Sequence, residues 1–309
     1  MKIAVLITTL NRPDVISNAI ASILNNTYKD FELIIVDQSA NNKTQEIVEG
    51  YILTDKRVKY LAMTTTGKTK ALNYGIRNCN ADIIAMTDDD CMVSKDWIEK
   101  IVATFRDCPD LALLFGSAEA SSYDTTKGII PTYLPSEKRF FKLHSRFVNS
   151  GIGANMVIRE NIFDTVGGFD EKLGVGTPLT TYEYDFFYRV RKRGFEVGVL
   201  PSLKAVHYGL KRFEDLPKMG QRAVMGHCAM SFKYIRCGDF WGVCMFFRGL
   251  MSLYLLFAYH ALFGYKHFPF PRVLALIGLL FAVIYYALYG ILFGLTYRID
   301  REKEVFIKE

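Results

Sequence analysis

The first 116 residues alternate nearly continuous apolar runs with amphipathic segments, and few folds accept that order. The runs Lys2–Thr8, Phe31–Asp37 and Asp82–Thr87 lack the in–out alternation of a strand with one wet face. They read as parallel strands buried on both faces. Arg57–Leu61 and Leu111–Gly116 add two more. Between them, Asp14–Asn26 sets Val15, Ile16, Ala19, Ile20, Ile23 and Leu24 on one helical face, with Pro13 at its first turn. Ser94–Phe105 repeats the pattern with Trp97, Ile98, Ile101, Val102 and Phe105. Strand–helix alternation of this kind predicts an α/β fold: a doubly wound, mostly parallel sheet with flanking helices.

In such a sheet, ligands sit beyond the carboxyl ends of the strands. Asp88-Asp89-Asp90 falls there, directly after Asp82–Thr87. Three adjacent carboxylates repel one another, and a hard divalent cation, Mg²⁺ or Mn²⁺, removes the repulsion. The same residues could instead form a solvated acidic turn that caps the helix near Ser94. Asp37 ends the second strand on the same rim. There it can accept a base N–H or a ribose hydroxyl, or it can simply shape the turn before Ser39, Asn41 and Asn42. Thr8, Thr9, Asn11 and Arg12 follow the first strand, and the helix start behind them favours an anion. Gly67-Lys68 opens another helix in a manner that suits a diphosphate, although the spacing is not that of a Walker A loop. A capping glycine beside a solvated lysine would look the same.

Residues 117–150, with Gly128, Pro131 and Pro135, read as a loop-rich excursion over the sheet. Order resumes at Gly151–Arg159, followed by a short helix and a Gly167-Gly168 turn. A helix over Tyr182–Arg193 carries Glu183 and Asp185 among aromatic residues, which raise a carboxyl pKa and suit a general base. Acids are also common in a first helical turn for electrostatic reasons. Two short strands, Glu196–Leu200 and Lys204–His207, come next, and His207 could ligate a metal or serve structure alone.

The ordered set Thr8-x-x-Asn11-Arg12, Asp37, Gly67…Asn73-x-Gly75, Asp88-Asp89-Asp90, Gly151-x-Gly153-Ala154-Asn155, Gly167-Gly168-Phe169-Asp170 and Glu183-x-Asp185…Arg189 resembles glycosyltransferase family 2 over about residues 1–210. The resemblance implies a GT-A fold, which is Rossmann-like, and inverting sugar transfer from nucleotide-diphosphate donors. It assigns Asp37 to the base. Thr8, Asn11, Arg12, Gly67, Lys68, Asn73, Asp88 and Asp89 become candidate nucleotide-sugar-binding residues. The metal falls to Asp90, with Asp88 and His207. The family pattern places an Arg four residues after its last acid, which Asp185 and Arg189 satisfy. Glu183 then stands where the catalytic base is usually Asp, Tyr182 replaces the preceding acid, and Asp185 is the second candidate base. UDP is the family-level first choice of nucleotide. A polyprenyl-phosphate glycosyltransferase is the alternative enzyme, and a catalytically inactive, membrane-anchored assembly subunit is the alternative of another class.

Composition shifts after about residue 240. Val273–Tyr297 carries no charge and is long enough to cross ~30 Å of hydrocarbon. Phe240–Phe263 could cross too, or lie in the interface with Arg248 snorkelling. Arg298, Arg301, Lys303 and Lys308 argue for a cytoplasmic tail. The expected layout is therefore a transferase domain over 1–210, a basic juxtamembrane helical segment over 211–239, two membrane helices over 240–297 and a tail over 298–309. Tyr265–Arg272 would form the outer turn. Lys2–Thr8 is only strand length, so no signal peptide is read and the catalytic part is expected in the cytoplasm. The formal charge of +6 is concentrated between Lys204 and Arg236, which suits anionic lipid. No nucleic-acid motif appears. Six scattered cysteines without zinc spacing read as free thiols. Expected partners are a nucleotide-sugar donor, a glycan or lipid-linked acceptor, and membrane lipids.

Overall fold

The computed structural model describes residues 1–141, 151–259 and 272–307. In chain order the elements are β1 (Ile3–Thr9), α1 (Pro13–Leu24), β2 (Phe31–Asp37), α2 (Lys43–Thr54), β3 (Val58–Ala62), α3 (Lys68–Arg77), β4 (Ile83–Asp88), β5 (Cys91–Val93), α4 (Trp97–Asp107) and β6 (Leu111–Ala120). Then come β7 (Gly128–Ile129), β8 (Arg139–Phe141), β9 (Asn155–Arg159), α5 (Ile162–Val166), α6 (Tyr182–Lys192), β10 (Glu196–His207) and β11 (Lys211–Arg212). The last elements are α7 (Leu216–Arg236), α8 (Trp241–Tyr259), α9 (Arg272–Leu295), β12 (Arg298–Asp300) and β13 (Val305–Ile307).

The chain forms two compact units, 1–169 with 183–213 and 170–182 with 214–309. The first is built on a nine-stranded sheet in the order β3-β2-β1-β4-β9-β6-β10-β5, with β8 also on β10. The expected mostly parallel α/β sheet is present, since β1 pairs in parallel with β2 and β4, β2 with β3, and β6 with β10. β9 is an exception, inserted antiparallel between β4 and β6. Its entry is fixed by Asn155, whose buried amide donates to the Ser117 and Leu203 carbonyls and accepts from Trp97 Nε1 at 3.0 Å. One side chain thus satisfies the backbone of two neighbouring strands inside the core. The apolar faces of α1 and α4 bury Ile16, Ile20, Ile23, Trp97, Ile101 and Phe105 against Val5, Ile7, Leu33 and Ile35 of the central strands. The two short strands read near residue 200 are one strand, β10, with a register shift between Leu200 and Lys204 at Pro201.

In the second unit, α7 packs against both α8 and α9. Val224 and Cys228 of α7 meet Val283 and Ala287 of α9, and Gly290 lies so close that a Cβ there would stand 2.3 Å from the Met225 carbonyl oxygen. Arg236 caps the end of α9 by donating to the Gly294 and Tyr297 carbonyls. Here the expectation of two membrane-crossing helices is corrected. Among the described residues no helix is long and apolar enough to cross a membrane. One face of α9 is spent on α7, a helix with Lys218, Arg222, Lys233 and Arg236, so the apolar composition serves helix packing as well as exposure. The proposed outer turn, Tyr265 to residue 271, lies outside the described residues, as does the end of Phe240–Phe263. Within the expected tail, β12 and β13 form an antiparallel hairpin. Its Phe306 N–H donates to Asp170 Oδ2, which also takes the Lys233 ammonium at 2.8 Å.

Candidate active site

Strand register brings the predicted rim together. Thr9 is paired with Asp37 across β1–β2, and Thr8 with Asp88 across β1–β4. The triplet does not cap a helix; it turns the chain from β4 into β5, and α4 starts only at Trp97. His207 ends β10 beside Cys91 of β5, and the Tyr208 N–H donates to the Asp90 carbonyl at 2.9 Å. Two distant stretches of sequence are therefore stitched edge to edge at the acidic turn.

Ligand atoms of Asp88, Asp90, Cys91 and His207 lie within 4.8 Å of one another. The donor set has the chemistry of a site for a hard divalent cation. His207 Nδ1 lies 2.9 Å from the Pro131 carbonyl, which can only accept, so Nδ1 carries the proton. In the neutral ring Nε2 then presents its lone pair, 3.3 Å from Asp90 Oδ1. Burial would raise the Asp90 pKa, but the His207 hydrogen bond and the Arg12 charge outweigh it and hold the carboxyl well below the usual range. Burial would lower the His207 pKa, but Asp90 and the Pro131 contact raise it above the ordinary value. Gly209 makes room for this pair, because a Cβ there would stand 2.4 Å from Asp90 Oδ2 and 2.7 Å from His207 Nε2. Two carboxylates and an imidazole fit Mg²⁺ or Mn²⁺. Cys91 does not join them, since burial pushes its thiol pKa far up and a protonated sulfur is a poor partner for a hard cation.

Asp89 is buried and turned inward, accepting from Thr9 Oγ1 at 2.7 Å and from Arg12 Nη1 at 2.6 Å. Burial raises its pKa despite Arg12. Arg12 also donates from Nη2 to Asp90 Oδ2 at 2.7 Å, and Lys68 pairs with Asp88 Oδ1. Burial works against the guanidinium charge, but Asp89 and Asp90 outweigh it and raise the Arg12 pKa. Asn11 sits in the left-handed region at φ 54, a conformation Asn tolerates. Its N–H donates to Ser39 Oγ and its Oδ1 accepts from Ala40 N–H, which joins the β1 loop to the β2 loop. Gly67, at φ 133, precedes α3 and permits the turn that brings Lys68 to the rim. Asp37 is buried, its carboxylate held by the Ser39 N–H at 2.8 Å and the Tyr60 hydroxyl at 2.9 Å.

Asn73 lies elsewhere. It is buried on α3, and its amide spans the Phe169 backbone, donating to the carbonyl at 2.9 Å and accepting from the N–H at 2.8 Å. The two acids of α6 are also separated in role. Asp185 is sealed in the interior with Arg189, which donates to it through Nε at 3.0 Å and to the Val166 and Gly168 carbonyls. Glu183 is half-buried and accepts the Gly153 N–H at 3.3 Å. The adjacent Ala154 carbonyl takes the Thr87 hydroxyl at 2.9 Å, one residue before the triplet, so Glu183 stands on the same rim. Sequence reasoning missed Tyr60, Gly209 and the Pro131 carbonyl. His207-x-Gly209 was the visible signal for the second; the others act through placement alone.

Solved structures share this architecture. A mannosyltransferase from Pyrobaculum calidifontis, solved with GDP-Man and Mn²⁺, aligns with TM-score 0.59 and 16% identity over 94% of this chain and 86% of its own. S. aureus TarS 1-349, solved with UDP-GlcNAc, aligns with TM-score 0.56 and 20% identity over 69% of this chain and 59% of its own. Among curated proteins, a glucosyl-dolichyl phosphate glucuronosyltransferase of Haloferax volcanii is 27% identical over 184 residues, 56% of this chain and 58% of that relative. The chain thus spans less than two thirds of that relative's length. Residues 4–167, more than half of the chain, match the model of Glycosyl transferase family 2, and the chain belongs to that family.

Proposed function

We propose that this chain is a metal-dependent inverting glycosyltransferase. Its donor is a nucleotide-diphosphate sugar, UDP being the first nucleotide to try, and its acceptor a glycan or lipid-linked hydroxyl at the cytoplasmic face of a membrane. The observation that carries this reading is the convergence of Asp88, Asp90 and His207 on the rim that also holds Asp37 and the Thr8–Arg12 loop. Asp37, oriented by Ser39 and Tyr60, keeps further lone pairs for a base or ribose donor. Lys68 and Arg12 supply positive charge where the diphosphate ends. A divalent cation held by Asp88, Asp90 and His207 would neutralise the departing diphosphate.

Glu183 accepts the proton of the acceptor hydroxyl as that oxygen bonds to the anomeric carbon. The bond from this carbon to the diphosphate oxygen breaks, and its electron pair leaves with the nucleotide. One displacement inverts the anomeric centre. The Gly153 N–H on Glu183 orients the carboxylate, whereas Asp185 is committed to Arg189. Glu183→Gln should therefore keep donor binding and lose transfer by ~10²–10⁴-fold. Transfer that survives this change would point to a lipid phosphate acceptor, already anionic and needing no base, as a polyprenyl-phosphate glycosyltransferase uses. Calorimetry with UDP, GDP and TDP, with Mn²⁺ or EDTA, tests the donor site. Equal affinity in EDTA would remove the metal from this reading.

A lipid-linked acceptor is supported by the name of the Haloferax relative and by the C-terminal unit. Trp241, Phe247, Met251, Phe281, Tyr285 and Leu288 are exposed on α8 and α9. Residues 240–299 hold Arg248, Lys266, Arg272 and Arg298 and no acid. Exposed apolar and aromatic groups with purely cationic flanks suit helices lying in the interface of an anionic bilayer. Flotation of the protein with phosphatidylglycerol vesicles, but not with neutral ones, is the expected outcome; no flotation with either overturns the membrane placement.

A further inference from the structure

We propose that Arg12 stands in for the cation at Asp90 and thereby makes divalent-metal binding depend on the nucleotide diphosphate. The inference rests on the reading of this rim as the donor and metal site, and deepens it. Each carboxylate of the triplet is matched by a lysine or arginine of the chain: Asp88 by Lys68, and Asp89 and Asp90 by Arg12. Asp90 is engaged on both oxygens, Oδ1 facing His207 and Oδ2 holding Arg12 Nη2 at 2.7 Å. A doubly charged ion that takes this carboxylate while the guanidinium stays would face a like charge across one small group. Arg12 must give up Asp90 first.

The geometry lets it do so by halves. Arg12 Nη1 is bound to Asp89 Oδ1, a carboxylate that Thr9 fixes from the other side. The Arg12 backbone is anchored by the left-handed Asn11 and its bonds to Ser39 and Ala40. Its side chain is 41% exposed, so the Nη2 edge can rotate into solvent while Nη1 stays. The freed edge belongs to the residue that caps the start of α1, where an anion is favoured. A diphosphate there would give the guanidinium a new bidentate partner as Asp90 is released. Metal alone must break the Arg12–Asp90 pair without compensation; metal with nucleoside diphosphate exchanges it.

The two ligands are therefore coupled, and by linkage each tightens the other by the same factor. The experiment is Mn²⁺ binding to the full chain, followed by electron paramagnetic resonance of free Mn²⁺, with and without saturating UDP or GDP. Wild type should bind Mn²⁺ on the order of tenfold more tightly with nucleotide. In Arg12→Gln and Arg12→Lys, Mn²⁺ alone should bind more tightly than in wild type, and the nucleotide effect should shrink. Arg12→Lys keeps the charge but loses the fork, so it separates the specific exchange from long-range repulsion. Equal Mn²⁺ affinity in wild type with and without nucleotide overturns the exchange and needs no variant. Tightening in Arg12→Gln but not in Arg12→Lys also overturns it, because charge alone then explains the effect. No Mn²⁺ binding by wild type in either condition overturns the exchange together with the metal site beneath it.

Discussion

Arg189 and Arg12 both grip aspartates with a planar fork, and the contrast between them separates architecture from chemistry. Arg189 and Asp185 are 1% and 0% exposed, and the guanidinium also ties down the Val166 and Gly168 carbonyls. Arg12 reaches Asp89 and Asp90 from a side chain that is 41% exposed. A sealed pair cannot lose one member without stranding a charge away from water, so it is committed to folding. Arg12 keeps part of its side chain in water, so another anion can reach the guanidinium and it can trade partners. Arg12 thus holds its aspartates from an open side chain, whereas Asp185, the acid nearest the candidate base, is fixed in the interior.

The largest effect that could break this distinction is on Arg189. Arg189→Met should lower unfolding free energy by ~3–5 kcal/mol in urea titrations, since it removes the guanidinium that faces the buried Asp185 carboxylate. A loss no larger than that of Arg12→Gln in the same titration would put Arg189 in the same class as Arg12. Next comes Gly209→Ala. Its Cβ would collide with Asp90 and His207, and cation affinity should fall roughly 10–100-fold, the scale seen when groups supporting a metal ligand are disturbed. Unchanged Mn²⁺ affinity would mean that the pair does not hold the ion.

A smaller effect is expected from pH, with opposite signs in the two units. Burial lowers the His227 pKa, against the opposing Met245 carbonyl contact. The unfolded chain then takes a proton at this position before the folded chain does. Stability from His227 is present above about pH 6.5, the ordinary histidine value, and is lost as pH falls below it. His207 has a raised pKa, so without added cation its contribution is present below about pH 6.5 and is lost as pH rises through the folded value. Amide hydrogen exchange corrected for intrinsic rates should show α7 losing protection between pH 7.5 and 5 while the end of β10 gains it. Parallel changes in both would remove the opposition. The opening contrast is sharpened by Arg12→Gln: the guanidinium it removes is open to solvent, so its loss of unfolding free energy should be smaller than that of Arg189→Met in the same titration.

The central strands were legible because burial on both faces forces unbroken apolarity, and β2 matches its expected span of Phe31–Asp37. The acidic rim was legible because side-chain chemistry at a strand exit has no packing reason to be there. Strand direction was not: β9 reads as an apolar run either way, and only Asn155 and its partners in β6 and β10 reveal its place. The single strand across Pro201 was hidden by a residue that usually ends pairing. Asn73 illustrates a different gap, since an amide suits a ligand and a backbone equally, and only coordinates show it on Phe169. The C-terminal helices show the limit of composition: apolarity states that water is avoided without saying whether protein or lipid replaces it, and Val283 and Tyr285, two residues apart, do different things.

The Asp170 clamp has a consequence in time. Its carboxylate is sealed by Lys233 and by the Phe306 N–H, a partner 136 residues further along the chain. At 5–20 residues per second, a ribosome needs roughly 7–27 s to make that partner after Asp170 has been added. For that interval the segment from Asp170 to Tyr182 cannot complete its fold, whereas the partners of Asp89 are all in place once residue 90 has emerged. The nascent chain can therefore form the Asp89 contacts early, the His207 and Tyr208 contacts of Asp90 only after β10 is made, and its C-terminal closure last, with the apolar helices α8 and α9 made before the hairpin that completes their unit.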